Sequence, residues 1–193
     1  MLASNSPRRK ELLSQLGYNF ESCPTDTDES YPFDLEPQKV AAFICRKKAE
    51  AIRGKYPQSI AITADTVVVR GETILGKPVS LDEAKNILRS LSGQKHQVVT
   101  AFCLVEDQKI NTFEDIATVW FREIDDSEID FYLTHGSPMD KAGAYGIQEW
   151  IGLIAIEKIE GSYFTIMGLP THQLFQALQP FSFQETQSFN STI

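Results

Sequence analysis

Residues 59–69 read SIAITADTVVV, rich in β-branched side chains and apolar at nearly every position except for one acid, Asp65. A run of this kind, bounded by turn formers, is a strand buried within a sheet. A carboxylate is expensive in such a place unless it has a partner, a metal or a task. The bland reading makes Asp65 a strand-end acid capping a turn. The functional one makes it a metal ligand or general base on a strand edge facing a cleft, with the Thr66 hydroxyl beside it.

A chain of 193 residues, 42% hydrophobic and 23% charged, has the balance of a globular protein. At that length one domain, split into two lobes around a cleft, buries roughly 70% of its unfolded surface and needs no staples. The cysteines Cys23, Cys45 and Cys103 are odd in number and form no C-x-x-C pair, so they read as ordinary thiols of a reducing compartment. The N-terminus lacks the apolar stretch of a signal peptide, and no run approaches the eighteen or so residues of a membrane span. A cytoplasmic protein with no membrane partner is expected. With 18 basic against 26 acidic side chains the net charge is −8, which opposes non-specific nucleic-acid binding.

Ser6 followed by Pro7 starts a helix expected over 7–16, with Leu12, Leu13 and Leu16 as its stripe and Gly17 as its stop. A short strand at 19–22 leads into the acidic TDTDESYPFD. Pro37 opens a second helix, with Val40, Ala41, Ile44, Ala49 and Ile52 at helical spacing; Arg46, Lys47 and Lys48 fall near its C-terminal half, where cations suit the macrodipole. Ser80 and Glu83 make a capping box for a helix reaching about Leu91. Two strand-like stretches at 97–105 and 112–124, joined by EDQK, read as an antiparallel hairpin. Ser127 with Asp130 marks another capping box, for a helix ending near Gly136. Strands are expected around 151–159 and 163–167, then a last helix over Thr171–Leu178 and a polar, fraying tail at 181–193. Only residues 1–3 precede the Ser4-Asn5 loop, so the first strand is expected to begin upstream. Strands and helices mix in an order that is neither strict βαβ alternation nor all-β, which gives an α/β or α+β fold with a mixed sheet.

Several segments carry candidate chemistry. Arg8 and Arg9 lie in the first turn of a helix, where the macrodipole already disfavours cations; a phosphate docking among them and Ser6 would explain their place. Surface arginines paired with distant carboxylates are the alternative. Lys48, and Lys77 within GKP, are candidate phosphate partners or simply exposed lysines. Glu29 sits in the acidic TDTDES, which either is solvated or holds a hard cation through carboxylates and waters. The glycines of DKAGAYGIQ make a tight turn or let backbone approach a ligand. The Gln148 carboxamide, donor and acceptor at once, matches the O4 and N3–H edge of uracil or thymine. His96, His135 and His172 show no ligand spacing and are assigned no catalytic role.

In this order ASNSPRR at 3–9, the acid at 29, KA at 48–49, ADT at 64–66, GKP at 76–78, LSG followed by His96, DKAGAYGIQ at 140–148, EGSY at 160–163 and GLP at 168–170 resemble the Maf family of nucleoside triphosphate pyrophosphatases. The resemblance implies a two-lobed, Maf/inosine-triphosphatase-like domain over 1–180 with the site between the lobes, a homodimer, and hydrolysis of a nucleoside triphosphate to monophosphate and pyrophosphate with magnesium or manganese. DKAGAYGIQ is similar to the branch acting on dTTP and UTP. The resemblance also makes Asp65 the proton acceptor and Arg8, Thr66 and Gln148 the positions of substrate choice. Ala101 and Glu149 stand where the family commonly has glycine.

On this reading Asp65 takes a proton from water attacking in line with the pyrophosphate leaving group. The metal is held by Glu29 and Asp65, and Ser6, Arg8, Arg9, Lys48 and Lys77 complete a phosphate cradle. Asp65 cannot be a firm ligand and a free base at once, and both roles stay open. Two other classes of function stand beside this one: a nucleotide-binding regulator of cell division with little turnover, and nucleic-acid binding through SPRRK, which the net charge opposes.

Overall fold

A computed structural model describes residues 1–181; apart from Phe181, the tail expected at 181–193 lies outside the described residues. Five strands form one sheet in the order β2-β1-β3-β4-β5: β1 (Ile60–Arg70), β2 (Thr73–Leu75), β3 (Lys95–Glu106), β4 (Lys109–Phe121) and β5 (Ile156–Glu160). Around it lie helices α1 (Pro7–Gln15), α2 (Val40–Ile52), α3 (Leu81–Leu91), α4 (Asp126–His135), α5 (Trp150–Ala155), α6 (Tyr163–Met167) and α7 (Thr171–Leu178).

β1 is buried along its length except at its two ends and at Thr66. Side chains alternate across a sheet, and here the alternation assigns each residue a lobe. Ala61, Val67 and Val69 pack with Val99, Ala101, Cys103 and Val105 of β3 beneath Val40, Ala41, Ile44 and Cys45 of α2. Residues of the other parity face the opposite side, which carries two apolar clusters. In one, Ile62, Ala64, Phe102 and Leu104 meet α1 and α7 through Leu12, Leu13, Leu174 and Leu178. In the other, Val68 and Val98 meet α3, α4 and α5 through Leu88, Ile129 and Ile151. Thr66, paired in register with Thr100, lies between the two. A polar rung thus separates two cores on one face, and the cleft opens there.

All neighbouring strands run antiparallel. The parallel component of the expected mixed sheet is confined to Leu2, which makes isolated parallel bridges to Ser22 and to Ile62. Ser22 is also all that forms of the strand expected at 19–22. Ala3 N–H donates to Ile62 O at 2.8 Å and Ile62 N–H to Met1 O at 3.0 Å. This pairing carries the chain start along β1 and delivers the loop at Ser4–Ser6 to the level of Ala64 and Asp65.

The hairpin of β3 and β4 turns at Asp107, whose φ of 48° its short polar side chain tolerates. Helices α1, α3 and α7 lie where the sequence places them, and Ser6 and Ser80 cap α1 and α3. Glu83 reaches back to Val79 N–H at 2.7 Å, one residue beyond its expected capping-box partner. Other expectations need correcting. The capping box of α4 is Asp125 with Glu128, two residues before Ser127 and Asp130: Asp125 accepts from Glu128 N–H at 2.9 Å and Glu128 accepts from Asp125 N–H at 3.1 Å. The stretch at 151–159 divides into α5, which buries Ile151 and Ala155 one turn apart, and the edge strand β5. The stretch at 163–167 is helical because Ser162 caps it and Gly168, at φ 107°, stops it. Short apolar runs of this length suit either state, and here the caps decide.

Candidate active site

The cleft has a volume of about 600 Å³, and Ser6, Arg8, Arg9, Glu29, Lys48, Asp65, Thr66, Lys77 and Gln148 all line it. Nine residues scattered over some 140 positions of sequence thus meet on one surface.

Asp65 has the parity of Val67 and Val69 and faces α2. There Lys48 Nζ donates to Asp65 Oδ1 at 2.7 Å and lies 2.7 Å from Glu29 Oε1 as well. Lys48 and Asp65 are each 8% exposed, so the acid that breaks the apolar run has its partner and is not a surface cap. Lys48 lies one turn from Ile44 and from Ile52 on the buried stripe of α2, which is why its charge is carried inward. Burial pulls the Glu29 carboxyl up, but the hydrogen bond and charge of Lys48, with Lys77 and Arg9 farther off, hold it below the ordinary glutamate range.

Arg8 and Arg9 have opposite roles. Arg9 donates Nε–H to Gly168 O at 2.8 Å, Nη1–H to Ala64 O at 2.9 Å and to Ser4 Oγ at 3.4 Å, and Nη2–H to Thr66 Oγ1 at 3.0 Å. Four of its five donors serve the protein, and one is left for a ligand. Arg8 gives one bond, from Nη1 to Asp140 Oδ2 at 2.9 Å, and keeps its other donors at the cleft wall. Thr66 accepts from Arg9. Because Thr100 Oγ1 donates to Thr165 O at 2.7 Å, the 3.0 Å contact between the two threonine hydroxyls takes its proton from Thr66. The Thr66 hydroxyl is therefore oriented by the fold, with one lone pair remaining. Ser6 Oγ accepts from Arg9 N–H as the cap of α1 and keeps its own proton to donate. Lys77 and Gln148 are exposed at the rim, without a hydrogen bond or ion pair among the described residues.

The DKAGAYGIQ segment is built on two short 3₁₀ turns, Pro138–Asp140 and Ala142–Ala144. Its glycines serve internal packing. Gly143, at φ 71°, lies against Val68, whose side chain would stand 3.1 Å from any added Cβ, and a Cβ on Gly146 would meet Lys141 Cε at 2.8 Å. Tyr145 is anchored by its hydroxyl to His96 Nε2 at 2.8 Å. Burial pushes His96 down to about 4, so it is neutral at pH 7. Lys141, only 5% exposed, lies 2.7 Å from both Asp140 Oδ1 and Glu149 Oε1. Burial raises the Asp140 carboxyl, and the hydrogen bonds and charges of Lys141 and Arg8 outweigh it, leaving Asp140 below its usual range. Lys141, Glu149, Thr100 and the His96–Tyr145 pair are residues that sequence reasoning did not assign to the site. Their burial within irregular turns or across strands leaves no periodic signal to read.

Among the described residues no three His, Cys, Asp or Glu side chains gather as for a metal cage made by protein alone. What exists is a carboxylate pair, Glu29 and Asp65, held together by one ammonium at the floor of a cationic cleft. That donor set fits a magnesium-like ion, which takes one or two carboxylates and completes its shell with phosphate oxygens and water.

The profile of the family described as Maf-like protein matches residues 1–181. A dTTP/UTP pyrophosphatase of Porphyromonas gingivalis is 49% identical, over 94% of this chain and 93% of its own. One from Bacteroides fragilis is 47% identical over 93% and 94% of the two chains, and one from Cytophaga hutchinsonii is 40% identical over 93% and 82%. No described helix is long and apolar enough to cross a membrane.

Proposed function

Because the chain belongs to the Maf family, we propose that its cleft hydrolyses dTTP and UTP to the monophosphate and pyrophosphate, with Asp65 as the group that accepts the proton of the attacking water. The observation that carries the assignment is the Asp65–Lys48–Glu29 cluster: a buried carboxylate, paired through one ammonium to a second, at the floor of a cleft large enough for a nucleotide. Relatives alike along nearly their whole length and named dTTP/UTP pyrophosphatases support the substrate class.

The residues divide the task. Lys48, hydrogen-bonded to Asp65 Oδ1 at 2.7 Å, holds the carboxylate in place for the proton. Ser6, the free donors of Arg8 and the exposed ammonium of Lys77 bind phosphate oxygens, and Arg9 adds its charge from behind the helix start. Gln148 reads the O4 and N3–H edge of the pyrimidine, while the fixed Thr66 hydroxyl and Arg8 set the position in which it does so. With Asp65 kept free as the base, Glu29 would hold magnesium or manganese, whose chemistry is to neutralise charge growing on the leaving pyrophosphate. Residues 1–180 act in this reading as one domain whose two lobes flank the cleft, as a homodimer in the cytoplasm.

The test is pyrophosphate release from a panel of triphosphates with magnesium or manganese. Equal amounts of monophosphate and pyrophosphate from dTTP and UTP are expected. Binding of nucleotide with no release from any of them would overturn the reading and favour a nucleotide-binding regulator, an alternative that the likeness to pyrophosphatases does not favour. Sedimentation velocity tests the dimer.

A further inference from the structure

Lys141 is buried and has three acceptors: Asp140 Oδ1 at 2.7 Å, Glu149 Oε1 at 2.7 Å and Ser137 O. Each of its three protons is thereby committed to protein, and none is left for a ligand. The two carboxylates it holds each turn their second oxygen outward. Asp140 Oδ2 accepts from Arg8 at 2.9 Å, and Glu149 Oε2 accepts from the Tyr132 hydroxyl of α4. The outcome is one chain of contacts, Arg8–Asp140–Lys141–Glu149–Tyr132, with two cations balanced by two carboxylates. One end is the arginine with free donors at the cleft wall. The other is Tyr132, reached through Glu149, the residue directly after Gln148.

The backbone is shaped around this ammonium. Any side chain at Gly146 would collide with the Lys141 stem and with Glu149, whose Cδ would stand 3.0 Å away. A buried ion pair is a poor source of net stability, since apolar groups of the same shape often do as well. What such a group supplies is a single geometry. When Arg8 turns toward a phosphate, Asp140 also remains charge-compensated, because Lys141 still holds it.

We propose that Lys141 is a positioning residue that couples the two ends of the cleft, setting Arg8 through Asp140 and Gln148 through Glu149. The inference rests on the nucleotide reading given above and goes beyond it in assigning residues that touch no substrate. Binding energy lost by misplacing a recognition group appears first in KM and in discrimination between substrates.

Lys141→Met and Glu149→Gln are compared with wild type on dTTP and on dGTP. Glu149→Gln keeps size and a partner for Tyr132 but removes the charge. In Lys141→Met the KM for dTTP rises about tenfold and the preference for dTTP over dGTP shrinks by a similar factor, with a smaller change in kcat; Glu149→Gln moves both in the same direction by about threefold to fivefold. If both variants fold, by circular dichroism, and hold KM and preference within about twofold of wild type, the ion pair is merely structural and the proposal fails. Should Lys141→Met not fold, Glu149→Gln alone decides by the same criterion. Should the wild type release no pyrophosphate, the fault lies with the activity reading; calorimetric affinity for dTTP in EDTA then decides for Lys141, with weakening in both variants expected and equal affinity overturning it.

Discussion

At the floor of the cleft, Asp65 and Lys48 project from a central strand and a packed helix, and their partners are set by the periods of those elements. At the rim, Gln148 is carried by a loop of 3₁₀ turns that has no period and is held from behind by Lys141 and by the His96–Tyr145 pair. In the proposed mechanism, rigid elements place the groups that move a proton, and a propped loop places the group that reads a base. The first arrangement is costly to alter, because any change disturbs a core. The second can change its choice of substrate while leaving the sheet alone.

The largest expected effect separates the ends most sharply. Asp65→Asn keeps shape and removes the charge of the proposed base, and turnover should fall about a hundredfold or more on every triphosphate. Turnover within about threefold of wild type, under roughly 0.7 kcal/mol of barrier, would remove Asp65 from the proton transfer. Next come the two arginines. Arg9→Ala deletes a half-buried guanidinium bound to Ala64, Gly168 and Thr66 and should lower the free energy of unfolding by about 2 kcal/mol in urea titrations. Arg8→Ala should cost less than about 0.5 kcal/mol of stability and appear in the KM for triphosphate. The reverse pattern would make Arg9 the phosphate ligand.

The loop anchor gives a smaller, pH-dependent effect. His96 is pushed down to about 4 in the folded protein by burial, so between pH 6.5 and 4 the unfolded chain binds a proton that the native state refuses. Stability is then full above pH 6.5 and falls as pH drops toward 4, by about 2 kcal/mol at pH 5. His96→Leu should flatten that slope between pH 7 and 5 in denaturant titrations; an unchanged slope would mean that another group carries it. The smallest effect belongs to the rim: Lys77→Met should raise KM about fivefold at low salt, and less at high salt, as befits an exposed charge.

The strand, the sheet hairpin and Asp65 were legible because a break in an apolar run is a local signal. Lys48 was legible as a candidate, and its inward direction follows from its spacing to Ile44 and Ile52. Arg8 and Arg9, by contrast, are adjacent and chemically identical. Only the helix rotation of about 100° between neighbours sends one inward and the other to the wall. α6 reads as strand from its β-branched residues, although Ser162 and Gly168 mark a helix. The Lys141 chain could not be read, since its partners at 8, 132 and 149 meet only after the loop is folded.

Whether chemistry and choice really occupy separable ends is tested most directly by one ratio, kcat/KM for dTTP over dGTP, measured by single-turnover kinetics in Asp65→Asn and Gln148→Ala. The expected result is a ratio that stays at the wild-type value in Asp65→Asn while both rates collapse, and that falls about tenfold in Gln148→Ala while kcat for dTTP changes less. A ratio unchanged in Gln148→Ala, with all nucleotides losing rate alike, would contradict it and make the rim a part of the catalytic floor.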